Sequence, residues 1–244
     1  MIQCLYLIKS DGEPLFGKSL DEDSIIDMQS LPHYVKNSVA LFHSRSSTSS
    51  ERVYTLQHDN NIWAYAFFHS FVLVALMPLG ENLATLKYML LSIGRRIAHE
   101  YGSLIQSWGH GFSDVVALED IIDRYTSIDL SPLSTEDLVK IDELIDSALE
   151  RPEIAFVGIF DSRGKMVRGN VPEIHLFRLE VEISQGVIKP VMDIAPTSIS
   201  SGDNTIQMLR VNSLTVAVAT LPTESTLNAI SVVGEIAHAL NELL

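Results

Sequence analysis

Residues 1–20 have the sequence MIQCLYLIKSDGEPLFGKSL, and this stretch decides how the first part of the chain folds. The apolar run at 2–8 predicts a buried strand, and the Asp-Gly-Glu at 11–13 supplies the residue types of a tight turn. Residues 14–20 then predict a second strand that returns beside the first. The stretch therefore predicts a β-hairpin.

The same stretch matches the phosphate-loop pattern G-x-x-x-x-G-K-S between Gly12 and Ser19. In this interpretation the chain binds a nucleotide, and Lys18 and Ser19 reach phosphate and Mg²⁺. Pro14 argues against it because proline has no N–H to offer a phosphate. The acidic run at 21–23 would also crowd negative charge beside the phosphates. We therefore keep a P-loop nucleotide-binding protein as the least favoured alternative.

Apolar patterning predicts the elements that follow the hairpin, in the order helix, three strands, two helices. The acidic residues at 21–23 suit a helix N-terminus, and that helix is expected to restart after Pro32. The predicted strands lie near 53–56, 62–68 and 71–78, and the predicted helices cover 81–101 and 115–122.

The second half of the chain begins with a helix instead. Its predicted elements are a helix over 138–149, a hairpin of strands over 154–160 and 165–171, strands over 205–211 and 214–221, and a closing helix over 227–244. Between the hairpin and the last two strands the pattern fits two periodicities. Ile174, Phe177 and Val181 suit a helix, whereas Leu179, Val181 and Ile183 alternate as in a strand. Residues 187–194 are the candidate for a third strand before the closing helix.

The boundary between the two halves is expected at 128–134. Pro132 disfavours helix at Ser131, so the preceding helical pattern ends there. Ser134 and Asp137 resemble a capping box that starts the next helix, with Asp in place of the preferred Glu. The sequence therefore predicts two domains, at 1–131 and 132–244.

The order of elements in the first half resembles a longin domain, and the sequences at 1–8, 11–13 and 15–16 are similar to the first hairpin of longin and adaptor-subunit chains. The second half resembles a roadblock domain of the dynein light-chain family, because it starts with a helix at Thr135 and has a hairpin around 161–164. A roadblock domain would have three strands before its last helix, so either residues 187–194 supply the third strand or the domain is a divergent relative. The resemblance implies an α+β fold of two related α/β/α sandwiches. Each would have a mainly antiparallel five-stranded sheet flanked by helices.

Longin and roadblock domains belong to complexes that bind or regulate small Ras-like GTPases, and they pair through sheet edges and helices into homo- or heterodimers. The resemblance implies a non-enzymatic regulatory or scaffolding module that dimerises and binds such a GTPase or another longin or roadblock protein. An alternative is a structural subunit of a vesicle-trafficking or adaptor-like complex. The physical basis is that an open sheet leaves edge strands that another domain can complete.

The charge of the chain bears on its partners. Seventeen Lys and Arg against 31 Asp and Glu give a formal charge of −14. Division after Ser131 gives 9 basic and 15 acidic residues before it (−6) and 8 and 16 after it (−8), so both halves are acidic. This balance disfavours nucleic acid, and membrane contact is expected only through a partner. It favours a partner with a basic face, bound more weakly as salt rises.

Residues that carry chemistry are sparse. The single cysteine, Cys4, cannot form an internal disulfide, which predicts a cytoplasmic protein. None of the eight histidines has a close metal-ligand spacing, and no G-x-S-x-G motif is present. We therefore name no catalytic, cofactor-binding or metal-binding residue, and we expect no cofactor and no enzymatic activity.

Several surface features have an ordinary interpretation beside a functional one. Arg95 and Arg96 suit an acidic partner or a phospholipid, or are a plain helix surface pair. The loop at 108–112 is a possible binding loop or a helix end. Asp120 and Asp123 are expected to be solvated. The last helix carries small residues that favour either a helix interface or packing on its own sheet; these are Ala229, Val233, Gly234 and Ala237.

Overall fold

The computed structural model describes residues 2–9, 12–21, 31–46, 52–80, 82–107, 115–128, 130, 133–186 and 188–244. The chain divides into two compact units, Met1–Thr126 and Ser127–Leu244. The predicted boundary between 131 and 132 lies outside the described residues and stays a prediction. Each unit is an α+β sandwich with one five-stranded antiparallel sheet and helices on its faces, as the sequence predicts.

The first unit has the element order ββαβββαα. Its elements are β1 Cys4–Lys9, β2 Pro14–Ser19, α1 His33–Ser46, β3 Val53–His58, β4 Asn61–Phe67, β5 Phe71–Pro78, α2 Leu83–Gln106 and α3 Val115–Thr126. The sheet order is β2-β1-β5-β4-β3, and every neighbouring pair is antiparallel. The predicted first hairpin is confirmed. The predicted start of α1 at 21–23 falls mostly on residues outside the described part.

The two faces of this sheet are packed differently because side chains alternate along each strand. On one face, Val35 and Val39 of α1 pack against large side chains such as Tyr65 and Phe67. On the other, alanines of β4 and β5 let α2 lie close to the sheet. Gly94 of α2 shows how close the approach is, since a Cβ there would lie 2.0 Å from ring atoms of Phe68.

The second unit has the element order αββαβββα. Its elements are α4 Thr135–Leu149, β6 Ile154–Phe160, β7 Met166–Gly169, α5 Glu173–Ser184, β8 Thr197–Ser201, β9 Asn204–Val211, β10 Leu214–Thr220 and α6 Thr226–Leu243. The sheet order is β7-β6-β10-β9-β8, again antiparallel throughout. This is the strand order of the first sheet, so the two units repeat one topology with their helices placed differently along the chain.

The start of α4 confirms the predicted capping box. The Ser134 hydroxyl accepts a hydrogen bond from the Asp137 N–H at 3.1 Å, and the Asp137 carboxylate accepts one from the Ser134 N–H at 3.2 Å. These two bonds satisfy N–H groups that have no partner within the helix. The short Asp side chain therefore serves in place of the Glu that this motif prefers.

The last helix packs inward with its small residues. Ala229, Val233 and Ala237 are fully buried in the core that α4 and α6 form on one face of the sheet. The predicted alternative of a helix interface built on these three side chains is therefore wrong, because its own sheet already covers them. Gly234, the fourth residue of the predicted set, has open space where a Cβ would stand.

The predicted third strand at 187–194 is also wrong, because the third strand is β8, Thr197–Ser201. Asp193 lies beside β9 without forming a ladder. Its N–H donates to the Arg210 carbonyl at 2.8 Å, and its carboxylate accepts from the Arg210 N–H at 3.3 Å and from Lys189. One backbone bond and side-chain contacts therefore replace the regular pairing that a strand would make.

No helix that the structure describes is both long and apolar enough to cross a bilayer.

Candidate interaction surface

The region that matches the phosphate-loop pattern is a strand. Pro14–Ser19 pairs with β1 in the register Leu5 with Lys18, and Cys4 with Ser19. A phosphate loop turns successive backbone N–H groups onto one anion, whereas a strand directs them alternately to either side. The hairpin geometry therefore gives the nucleotide-binding interpretation no support.

The side chains that would serve a nucleotide have other partners. The Lys18 ammonium lies 2.7 Å from each carboxylate oxygen of Asp123 in α3. The Ser19 hydroxyl donates to the Asp21 carbonyl at 2.6 Å. Lys18 thus ties an edge strand to a helix. Asp123, which the sequence predicts to be solvated, is more than half exposed but is the carboxylate of this ion pair.

Lys18→Ala tests this assignment. We expect neither the wild type nor the variant to bind Mg–ATP or Mg–GTP saturably in isothermal titration calorimetry. We expect the variant to lose about 0.2–1 kcal/mol of unfolding free energy in urea titration, because water screens a pair whose carboxylate is exposed. Lys87→Ala, at an exposed helix position, is the control and should leave stability unchanged. Saturable nucleotide binding that Lys18→Ala abolishes would contradict the assignment.

The histidines and carboxylates form no metal centre in the described part of the chain, where no group of three or more potential ligands comes together. His175 is the buried histidine of α5, at 4 % exposure. Its Nδ1 lies 2.8 Å from the Ser201 hydroxyl, and its ring stacks on Phe156. The hydrogen bond joins the start of α5 to the end of β8, and the ring contact joins it to β6. His175 therefore holds α5 against the sheet.

The shifted pKa values give no sign of acid–base chemistry. Burial raises the pKa of Tyr65 to about 12, and burial also raises the pKa of Tyr125. The N–H groups of Arg151 lower the pKa of the Glu235 carboxyl. A general acid or base works best with a pKa near the ambient pH. All three shifts move the group away from neutrality, so they reflect packing and ion pairing.

Helix α5 is apolar on two sides. His175, Leu179 and Ile183 face the sheet and are buried. On the opposite side, Ile174 is 80 % exposed and Phe177 is 75 % exposed. Half-buried Val181 continues this outer stripe at helical spacing. A soluble helix normally turns polar side chains outward, so large apolar side chains here indicate a contact surface.

The strand beside this helix is open to pairing. β8 lies at the end of its sheet and pairs with β9 alone among the described strands. Its sequence, Thr-Ser-Ile-Ser-Ser, has neither proline nor charge, which are the residues that block unwanted edge pairing. Its side chains Ile199 and Ser201 lie on the face that α5 covers. We call Ile174, Phe177, Val181 and strand β8 the α5–β8 surface.

The opposite edge of the same sheet is blunted. β7 has only four residues, and its pairing with β6 is irregular between Ile159 and Phe160. Arg168 on this strand carries a charge and lies 3.2 Å from the Asp142 carboxylate of α4. A short, charged and irregular edge resists pairing with another chain. The two edges therefore differ in what they offer a partner.

The equivalent edge in the first unit, β3, is covered on one side by aromatic side chains of α1. Phe42 stacks on Tyr54 with ring centres 5.0 Å apart, and Tyr34 stacks on His58 at 4.3 Å. These contacts fill the space between helix and edge strand from within the unit.

The sequence left this segment open between a helix with Ile174, Phe177 and Val181 and a strand with Leu179, Val181 and Ile183. The segment is a helix, and the side that packs inward carries His175, Leu179 and Ile183. Two apolar stripes on one short helix are the signal that points to an interface. Of the arginine pair at Arg95 and Arg96, Arg96 bonds Glu100 within α2. The loop at 108–112 lies outside the described residues.

The chain matches no protein-family model and no curated protein.

Proposed function

We propose that the chain is a non-enzymatic regulatory or scaffolding module of the cytoplasm that dimerises and binds or regulates a small Ras-like GTPase. The observation that carries the proposal is the α5–β8 surface, which combines an exposed apolar helix face with an unblocked sheet edge. Such a pair of features suits β-augmentation combined with helix packing. The resemblance to longin and roadblock domains supplies the class of partner.

The charges around the α5–β8 surface support a partner with a basic face. Glu173 and Glu180 are exposed along one side of the apolar stripe. On the other side, Arg178 pairs within the helix with Glu182 at 2.7 Å, which neutralises its charge. The exposed carboxylates of Glu173 and Glu180 make this side of the surface acidic, in line with the −14 of the whole chain. Association is therefore expected to be faster at low salt and to weaken as salt rises.

The GTPase is tested by capture with purified components. The Ras-like GTPases of the same organism are immobilised one by one, loaded with GDP or with a non-hydrolysable GTP analogue, and exposed to the full chain. We expect binding to at least one, with a difference of at least about 10-fold between nucleotide states, as coupling free energies of this size are common. Binding to none of them would contradict the GTPase proposal while leaving dimerisation to its own test.

The alternative, a structural subunit of a trafficking or adaptor-like complex, predicts other scaffold subunits as binding partners. In that case affinity capture from the source cells recovers other scaffold subunits, and the nucleotide state of a GTPase has no effect on the yield. The nucleotide-dependent capture therefore separates the two proposals.

A further inference from the structure

Tyr65 of β4 carries a buried hydroxyl that the fold leaves without a hydrogen bond. The residue is fully buried, and it lies on the face of the sheet that α1 covers. Within the described part of the chain, its hydroxyl oxygen is a buried side-chain polar atom with no hydrogen-bond partner. A group in this state destabilises the arrangement that buries it, because water would satisfy it in the open.

The side chain of α1 that lies beside this hydroxyl is already used. Ser38 donates from its hydroxyl to the Tyr34 carbonyl at 2.7 Å, one turn earlier in the same helix. Burial raises the pKa of Tyr65 to about 12, and the nearby Ser38 hydroxyl lowers it only in part. The helix therefore covers the phenol without giving it a bond.

Helix α1 is held to the sheet by few buried side chains. Of residues 33–42, whose side chains the structure describes, only Val35 and Val39 are buried. Helix α2 on the other face has eight buried residues, and Asn82 caps its start. Most residues at 33–42 are aromatic, β-branched, histidine, serine or asparagine, which have low helix propensity. A helix of this composition depends on its contact with the sheet to stay folded.

The sheet face beneath α1 is rich in aromatic side chains. Besides its contacts with β3, the helix makes two ring contacts with β4, with ring centres 6.4 Å apart between Tyr34 and Trp63 and 5.2 Å apart between Phe42 and Tyr65. Both rings of the helix are only half-buried. Further ring contacts lie within the sheet and do not need the helix; they join Tyr6 to Trp63 and Tyr54 to Phe67.

We infer that α1 is a detachable cover of the first unit. It leaves the sheet as one body, water reaches the Tyr65 hydroxyl, and the aromatic face becomes accessible while the sheet and α2 stay folded. Hydration of the hydroxyl offsets part of the cost of exposing the rings. The closed state is the major one, and the open state is a minor member of the native ensemble. The inference does not depend on the proposed GTPase function, which rests on the second unit.

The test is amide hydrogen exchange of the full chain, followed by NMR at several urea concentrations below the unfolding transition. We expect the amides of α1 to share one opening that depends on urea, because a cooperative opening exposes surface. This opening is expected to be at least about 10-fold more populated than the one that exposes β4 and β5. Exchange of α1 only together with β4 and β5, or through unrelated openings without urea dependence, would overturn the inference.

Tyr65→Phe tests the role of the hydroxyl. It keeps the ring and its contact with Phe42 and removes the oxygen alone. We expect the opening of α1 to become rarer by about 5-fold or more, since the open state no longer gains the hydration of this group. An opening of unchanged population would show that α1 does not uncover Tyr65, and the inference would then be wrong.

Tyr125→Phe is the matched control. Tyr125 is also a buried tyrosine, but it belongs to α3, which packs on α2. Detachment of α1 leaves its surroundings intact, so we expect the exchange of α1 in this variant to match the wild type. An equal slowing in both variants would mean that α1 opens only when the whole first unit unfolds.

Discussion

Gly169→Ala is expected to destabilise the second unit by roughly 3 kcal/mol or more. The residue has φ +136°, a conformation that side chains rarely adopt. A Cβ there would lie 2.4 Å from the Val157 carbonyl oxygen and 2.6 Å from the Gly158 Cα. Both contacts are with backbone, which cannot rotate away as a side chain can. The substitution therefore forces β7 away from β6.

Amide hydrogen exchange of the full chain measures this effect. We expect peptides covering 154–160 and 214–220 to lose protection, because β6 pairs with β7 on one side and with β10, the central strand of the sheet, on the other. The two tryptophans, Trp63 and Trp108, both belong to the first unit. Tryptophan fluorescence during urea unfolding therefore follows the first unit separately.

Gly234→Ala is the matched control for this prediction. Gly234 lies in the interior of α6, and no atom lies within 4 Å of the place where a Cβ would stand. Alanine is the better helix former, so the change is expected to stabilise the chain by about 0.5–1 kcal/mol. The same substitution should thus have opposite signs at the two positions. Equal effects would contradict the close approach of β7 to β6.

Replacing Ile174 and Phe177 together with glutamate is expected to raise the dimer dissociation constant by at least about 100-fold. Both side chains are more than 70 % exposed, so the fold does not depend on them. Glutamate is also a good helix former. Two added charges on an apolar contact face would have to be desolvated in the dimer, which costs more than the loss of apolar area alone. The measurement is sedimentation velocity over a range of protein concentrations.

Leu227→Glu provides the control for a general effect of surface charge. Leu227 is 69 % exposed in the first turn of α6, outside the α5–β8 surface. We expect this variant to dimerise like the wild type. A wild-type chain that stays monomeric at high concentration, or a double variant that dimerises normally, would refute the role of the α5–β8 surface. Unchanged circular dichroism in all three proteins shows that the fold is intact.

Much of the fold follows from local patterns. The hairpin of β1 and β2, the strands β4 and β5 and the helices α4 and α6 were all predicted from apolar periodicity and turn residues. The capping box at Ser134 was predicted from two residue types at a fixed spacing. These features depend on residues close together in the chain, which is why periodicity and spacing suffice for them.

The third strand of the second sheet was missed for the opposite reason. Thr197–Ser201 is short and mostly serine, and its local preference for a strand is weak. It becomes a strand because it pairs with β9 and because Ile199 and Ser201 reach the core and His175 on the α5 side. The segment at 187–194 has the more apolar sequence. In its described part, 188–194, no strand forms, and Asp193 lies beside β9 through its bonds to Arg210.

The amino-acid sequence alone determined the fold class and the acidic charge of each half. It did not determine whether the segment of α5 is a helix or a strand, or which side of it is buried, because its apolar residues fit both periodicities. Only packing against the sheet selected His175, Leu179 and Ile183 and left Ile174 and Phe177 outside.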